Sequence, residues 1–130
     1  MRQRMQALFF TGILLILLCC TGCEAGKQYT SVDQEEAIRI MSTDGNSLIV
    51  DVRTKEEYDQ GHIVGAVLVP SADILEGRVD ALPDKDQKLF LYCRTGRRAE
   101  DAAQKLTELG YTNVYEMGGI LNWNGAVVKE

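Results

Sequence analysis

The chain has 130 residues, of which 45% are hydrophobic and 25% charged, and its formal net charge is −5. This length fits one ordinary globular domain and leaves no room for a second core of comparable size. The excess of acidic residues argues against nucleic acid as a partner, because phosphate backbones bind basic surfaces.

The first 22 residues have the pattern of an export signal. Arg2 and Arg4 precede an uncharged apolar run over residues 7–18, as in the n-region and h-region of a secretory signal. Without residues 1–22 the chain keeps 12 basic and 19 acidic residues, a net charge of −7. We therefore expect a signal peptide that is not part of the folded domain.

A lipid attachment site is expected directly after this segment. Small residues precede Cys23, which resembles the lipobox of bacterial lipoproteins, although Cys20 stands where that motif usually has leucine. The prediction is lipidation at Cys23, a tether over residues 23–29, and a folded domain over residues 30–130 on the outside face of a bacterial membrane. An uncleaved anchor and ordinary signal cleavage are the alternatives, and both also place the domain outside the cytoplasm.

Strand and helix patterns alternate along the remaining chain. The predicted strands are residues 29–30, 48–52, 66–69, 88–92 and 113–116, and the predicted helices are residues 31–42, 55–59, 71–79, 97–109 and 118–123. This alternation predicts an α/β fold in which helices cover both faces of a parallel sheet. Ligands of such sheets bind at the carboxyl ends of the strands, where Asp51 and Cys93 both fall.

Cys93 is the one cysteine of the predicted domain, since the other three precede residue 24. It ends a strand and precedes a glycine turn that opens a helix, so backbone N–H groups and the positive helix end should point at its sulfur. Arg94, Arg97 and Arg98 add cations. Such surroundings favour a reactive thiolate and attract a small anionic substrate.

Four segments together resemble one known family, the single-domain rhodanese or rhodanese-like sulfurtransferase. They are Asp51–Arg53, residues 57–66 with Pro70, Cys93–Arg98, and Gly118–Gly119 with Trp123. The resemblance implies a five-stranded parallel sheet flanked by helices. It also implies a catalytic cysteine that takes sulfane sulfur from a donor such as thiosulfate and passes it, as a persulfide, to cyanide or another thiophilic acceptor.

By this resemblance Cys93 is the catalytic residue, and the loop formed by Arg94, Thr95, Gly96, Arg97 and Arg98 binds the substrate. Cations near the sulfur would stabilise the anionic donor and the departing sulfite. For the arginine that points inward to the substrate we rank Arg98 first, then Arg94, then Arg97. We expect at least one of the three to face solvent. Neither a metal nor another cofactor is expected, and the oligomeric state stays open.

Asp51 and Arg53 are expected to support the site. Arg53 can pair with Asp51 or, at a spacing of four residues, with Glu57, and so fix the end of a strand. His62 is the only histidine. Sulfur transfer from thiosulfate needs no proton abstraction once the thiol is ionised, so His62 is predicted to bond the loop between Gly61 and Gly65.

Two other classes of function remain open. Cysteine phosphatases and arsenate reductases use a loop whose arginine lies six positions after the cysteine, whereas here that position is Ala99 and the arginine comes at five. A persulfide carrier or a partner-binding module without turnover would keep the same fold. The physiological donor and acceptor cannot be read from the sequence.

Overall fold

The computed structural model describes residues 28–129. The strands are β1 (Thr30–Ser31), β2 (Ser47–Asp51), β3 (His62–Ile63), β4 (Val67–Leu68), β5 (Lys88–Cys93), β6 (Val114–Gly119) and β7 (Val127–Val128). The helices are α1 (Gln34–Thr43), α2 (Lys55–Gln60), α3 (Ser71–Leu75) and α4 (Arg97–Glu108), and a 3₁₀ turn covers Ile120–Asn122.

Five strands form one parallel sheet in the order β1-β6-β5-β2-β4. The predicted α/β class and the five-stranded parallel sheet are therefore confirmed. Strands β5 and β2 lie at the centre, so their carboxyl ends, Cys93 and Asp51, are neighbours at one edge of the sheet. A second, antiparallel sheet joins β3 to β7 and was not predicted.

Strand β5 divides the core into two halves, because successive side chains of a strand point to opposite faces. Leu89, Leu91 and Cys93 belong to a cluster that also contains buried residues of α3 and α4. Phe90 and Tyr92 belong to the other cluster, which contains the buried face of α1. Helices thus cover both faces of the sheet, as the sequence predicts.

Several boundaries differ from the prediction, among them those of α1, α3 and β6, and the helix predicted over residues 118–123 is a 3₁₀ turn over Ile120–Asn122. Helix α1 is capped by Asp33, whose carboxylate accepts the N–H of Glu36, because Ser31 already belongs to β1. Helix α3 ends at Leu75, and Gly77 then adopts a positive φ of 79°, which does not continue a helix. Strand β6 continues to Gly119 instead of ending at residue 116.

The predictions for the signal peptide and for Cys23 lie outside the described residues. Within residues 28–129, no helix is long and apolar enough to cross a membrane. Tyr29, at the end of the predicted tether, is buried in the larger core cluster. The folded part of the chain therefore includes at least this residue.

Candidate active site

The sulfur of Cys93 faces the turn that follows β5. Its Sγ accepts the backbone N–H of Gly96 at 2.9 Å, although the residue as a whole is only 1% exposed. Gly96 has a φ of 119°, a conformation that side-chain-bearing residues rarely adopt. Helix α4 begins at the next residue and has no side-chain cap, so its first-turn N–H groups remain available to an anion near the sulfur.

The end of β6 holds this turn in place. Gly119 packs so closely on the turn that a β-carbon there would overlap the carbonyl oxygen of Arg94 and lie 2.7 Å from Cα of Thr95. The N–H of Leu121 also donates to the carbonyl oxygen of Arg94, at 3.4 Å. The predicted Gly118–Gly119 motif therefore has a steric role: it lets β6 approach the backbone of the Cys93 turn.

A cleft of about 220 Å³ lies beside the turn. Its lining residues are Arg53, Glu57, Gln60, Gly61, Arg94, Ile120 and Leu121. Cys93 is not part of this lining. The guanidinium of Arg98 binds Glu57 at the cleft, and the pKa of Arg98 is raised chiefly by that carboxylate and to a smaller degree by Cys93.

Arg98 and Glu57 form a paired contact across the site. Arg98 Nη1 and Nη2 donate to the two carboxylate oxygens of Glu57 at 2.8 and 3.0 Å. Glu57 also accepts the N–H of Thr54, which completes the predicted capping box of α2.

The hydrogen bonds from Arg98 are the main reason that the pKa of Glu57 falls to about 2. A lowered carboxyl pKa means that the pair stabilises the fold above the ordinary Glu pKa and loses this contribution only as the pH falls towards 2.

The three loop arginines have different environments. Arg94 lines the cleft and forms no ion pair with any residue between 28 and 129. The side chain of Arg97 is 84% exposed, and its nearest acidic partner is Asp101 at 3.9 Å. Arg98 is neutralised by Glu57. The structure thus brings Arg94 and Arg98 to the site and leaves Arg97 in solvent, and the cation of the cleft without an acidic partner among the described residues is Arg94.

Asp51 and Arg53 form a buried ion pair beside the cleft. Arg53 Nη2 lies 2.7 Å from Asp51 Oδ2 and also donates to the carbonyl oxygen of Gly61 at 2.6 Å. Burial alone lowers the pKa of Arg53, but the bonds and charge of Asp51 outweigh it and the pKa is raised. Of the two predicted partners of Arg53, Asp51 is therefore correct and Glu57 is not.

Tyr92 belongs to the same network, and the sequence analysis missed it. Its hydroxyl donates to Asp51 Oδ2 at 2.6 Å and accepts the N–H of Ile63 at 3.0 Å. Burial, followed by the bond to Asp51, raises the pKa of Tyr92. A tyrosine inside an apolar strand was the available signal, because a buried phenol requires a hydrogen-bond partner.

The side chain of His62 packs against the last turn of α2. Its ring stacks on Tyr58 with the centroids 3.7 Å apart, and Nδ1 lies 3.0 Å from the carbonyl oxygen of Tyr58. Nδ1 thus contacts the last turn of α2, and the bond to the loop between Gly61 and Gly65 stays a prediction. Among residues 28–129, no group of three or more His, Cys, Asp or Glu side chains is placed to hold a metal ion.

Comparison with known proteins agrees with this fold and site. The sequence model of the family described as "Rhodanese-like domain" matches residues 33–126. Thiosulfate sulfurtransferase PspE of Escherichia coli is 39% identical over 71 residues, which cover 55% of this chain and 68% of that protein. The chain belongs to the rhodanese-like family. It is accordingly related to sulfurtransferases, and Cys93 ends β5 directly before the turn that leads to α4.

Other similar proteins differ in length and name. The tRNA uridine(34) hydroxylase of Hamiltonella defensa is 41% identical over 88 residues, but these residues span only 25% of that protein. The structure of a rhodanese with anions from Escherichia coli is 36% identical, with a TM-score of 0.59, and the match covers 65% of this chain and 99% of that one.

Proposed function

We propose that this protein is a sulfurtransferase that moves sulfane sulfur from thiosulfate, or a related anionic donor, to a thiophilic acceptor through a persulfide on Cys93. The observation that carries the proposal is the bond from the Gly96 N–H to Cys93 Sγ at the start of α4. The similarity to a rhodanese with anions from Escherichia coli and to a relative named a thiosulfate sulfurtransferase also supports the proposal.

The chemistry needs only groups that surround Cys93. Its thiolate attacks the outer sulfur of thiosulfate, a new S–S bond forms, and the S–S bond of thiosulfate breaks with sulfite leaving on the electron pair. Cyanide then attacks the terminal sulfur of the persulfide, and thiocyanate leaves as the Cys93 thiolate is restored. Arg94 and the first turn of α4 stabilise the sulfite as it departs.

The mass of the protein after thiosulfate treatment tests the proposal. The domain is expected to gain one sulfur atom, about 32 Da, on the peptide that contains Cys93, and the gain should disappear on addition of cyanide as thiocyanate forms. An unchanged mass under conditions in which the thiol is reduced and accessible to alkylation would contradict the proposal.

Arg94→Gln tests whether the free cation of the cleft binds the donor. The substitution is expected to lower kcat/KM for thiosulfate about tenfold, chiefly through KM, because it removes a charge-assisted contact to the anion. Arg97→Gln is the matched control: it removes the same charge three residues later from an exposed side chain, and its kcat/KM should stay within twofold of wild type. Equal effects of both variants would assign the loss to overall charge instead of to the cleft.

We also propose that the protein is exported and lipidated at Cys23. The charged start, the apolar run and the small residues before Cys23 support this. In a bacterial host the full chain is expected in the membrane fraction, and this membrane association should disappear in Cys23→Ala. Unchanged membrane binding of Cys23→Ala would point to the uncleaved anchor instead.

A further inference from the structure

One wall of the cleft is apolar and is built from Ile120 and Leu121. The other five lining residues are arginines, a glutamate, a glutamine and a glycine. Leu121 is 62% exposed, more than any other large hydrophobic side chain between residues 28 and 129. An apolar side chain left in water at the mouth of a reactive cleft gains free energy when a ligand covers it.

The apolar wall is attached to the catalytic turn. It belongs to the 3₁₀ turn that follows Gly119, and its backbone bonds to the turn through the N–H of Leu121 and the carbonyl oxygen of Arg94. The N–H of Trp123 in turn donates to the carbonyl oxygen of Ile120 at 3.1 Å. The backbone of Leu121 is therefore held next to the turn that follows Cys93.

The cleft is large enough to hold a molecule with more atoms than thiosulfate. A volume of 220 Å³ equals the liquid volume of about seven water molecules at ~30 Å³ each. Thiosulfate has five heavy atoms and cyanide two, and both are hydrated anions that cannot cover a leucine side chain. Carbon atoms next to an acceptor sulfur can do so.

We infer that the sulfur acceptor is an organic thiol with an apolar group close to its sulfur, and that Leu121 is the residue that selects it. This inference rests on the proposed function and names the acceptor class of that same site. In the transfer step the acceptor thiolate attacks the terminal sulfur of the Cys93 persulfide. A new S–S bond forms, the S–S bond to Cys93 breaks, and the Cys93 thiolate leaves, so no external oxidant or reductant is required.

The test compares three acceptors on the preformed persulfide in single-turnover experiments. The acceptors are 1-propanethiol, 2-mercaptoethanol and cyanide, and the two thiols have the same number of heavy atoms but differ in a terminal methyl or hydroxyl group. Because the two thiolates differ in intrinsic nucleophilicity, each rate is divided by the rate of the same thiol, at the same thiolate concentration, with a small-molecule persulfide in solution. The ratio of these corrected rates in wild type should be about four in favour of 1-propanethiol, the factor expected for burial of one methylene-sized group.

Leu121→Ser should bring this ratio close to one, and its rate with cyanide reports any general loss of persulfide reactivity. Ile38→Ser is the matched control, since Ile38 is 48% exposed on α1 and does not line the cleft. It should keep the wild-type ratio. A wild-type ratio of one, or a Leu121→Ser ratio equal to wild type, would overturn the inference.

The loading step separates this result from the proposed function. Thiosulfate is used first, and the mass gain on Cys93 reports whether it is a donor. Sodium polysulfide is used in parallel to form the same persulfide, so that the acceptor ratio is measured even if thiosulfate does not react. If thiosulfate does not form the persulfide, the proposed donor is wrong. If the rate ratio of the two thiols is one, or is unchanged in Leu121→Ser, the proposed selection of the acceptor by Leu121 is wrong.

Discussion

Replacement of Cys93 by serine is expected to reduce thiocyanate formation from thiosulfate and cyanide to the rate without protein. An oxygen in place of Sγ cannot take up sulfane sulfur, because an alcohol remains protonated at neutral pH and is a poor nucleophile toward sulfur. The gain of about 32 Da after thiosulfate treatment should vanish in the same variant. Initial rates of thiocyanate formation and the intact mass are the two measurements.

The serine variant also separates loss of chemistry from loss of fold. Cys93 is buried in the cluster shared with α4, and serine is close to it in volume, so the variant should unfold cooperatively with only modest destabilisation. If Cys93→Ser kept wild-type turnover, the persulfide mechanism would be wrong. A mass gain on wild type without any thiocyanate would instead identify a persulfide carrier, the alternative that the sequence leaves open.

The position of Cys93 could be predicted because it depends on neighbouring residues. An apolar strand, a glycine turn and an amphipathic helix follow one another over residues 88–109, and their order alone places the sulfur at the start of α4. The same local information predicts the capping box of Thr54 and Glu57. Both features need only contacts between residues a few positions apart.

The roles of the arginines depend on distant residues and could not be read in this way. Arg98 is neutralised by Glu57, which lies 41 positions earlier, and Tyr92 reaches Asp51 over the same separation. The spacing of four residues suggested that Glu57 could pair with Arg53, whereas in the folded domain Glu57 pairs with Arg98. The charge that remains free in the cleft is therefore decided by tertiary pairing.

The small sheet of β3 and β7 also escaped the sequence analysis. Each strand has two residues, too few for an alternation of polar and apolar side chains to be recognised. Residues 62–63 pair with residues 127–128, more than 60 positions later in the chain. This pairing is long-range, so no local pattern could indicate it.

Gly119→Ala is expected to damage the site from outside the catalytic loop. The new methyl group would overlap the carbonyl oxygen of Arg94, so either the turn or the end of β6 must move. Such overpacking typically costs about 1–3 kcal/mol of stability. Because the displaced backbone carries Arg94 and precedes the N–H of Gly96, kcat/KM for thiosulfate should fall at least tenfold.

Gly45→Ala is the matched control for this prediction. A β-carbon at Gly45 would meet nothing within 4 Å, and the residue is exposed and does not line the cleft. Its activity should equal that of wild type, and its stability should be unchanged or up to about 1 kcal/mol higher, since alanine restricts the unfolded chain. Urea unfolding and thiosulfate kinetics on both variants give the comparison. If Gly119→Ala behaved like Gly45→Ala in both measurements, close packing of β6 on the Cys93 turn would not be what holds the sulfur and the cation of Arg94 in place.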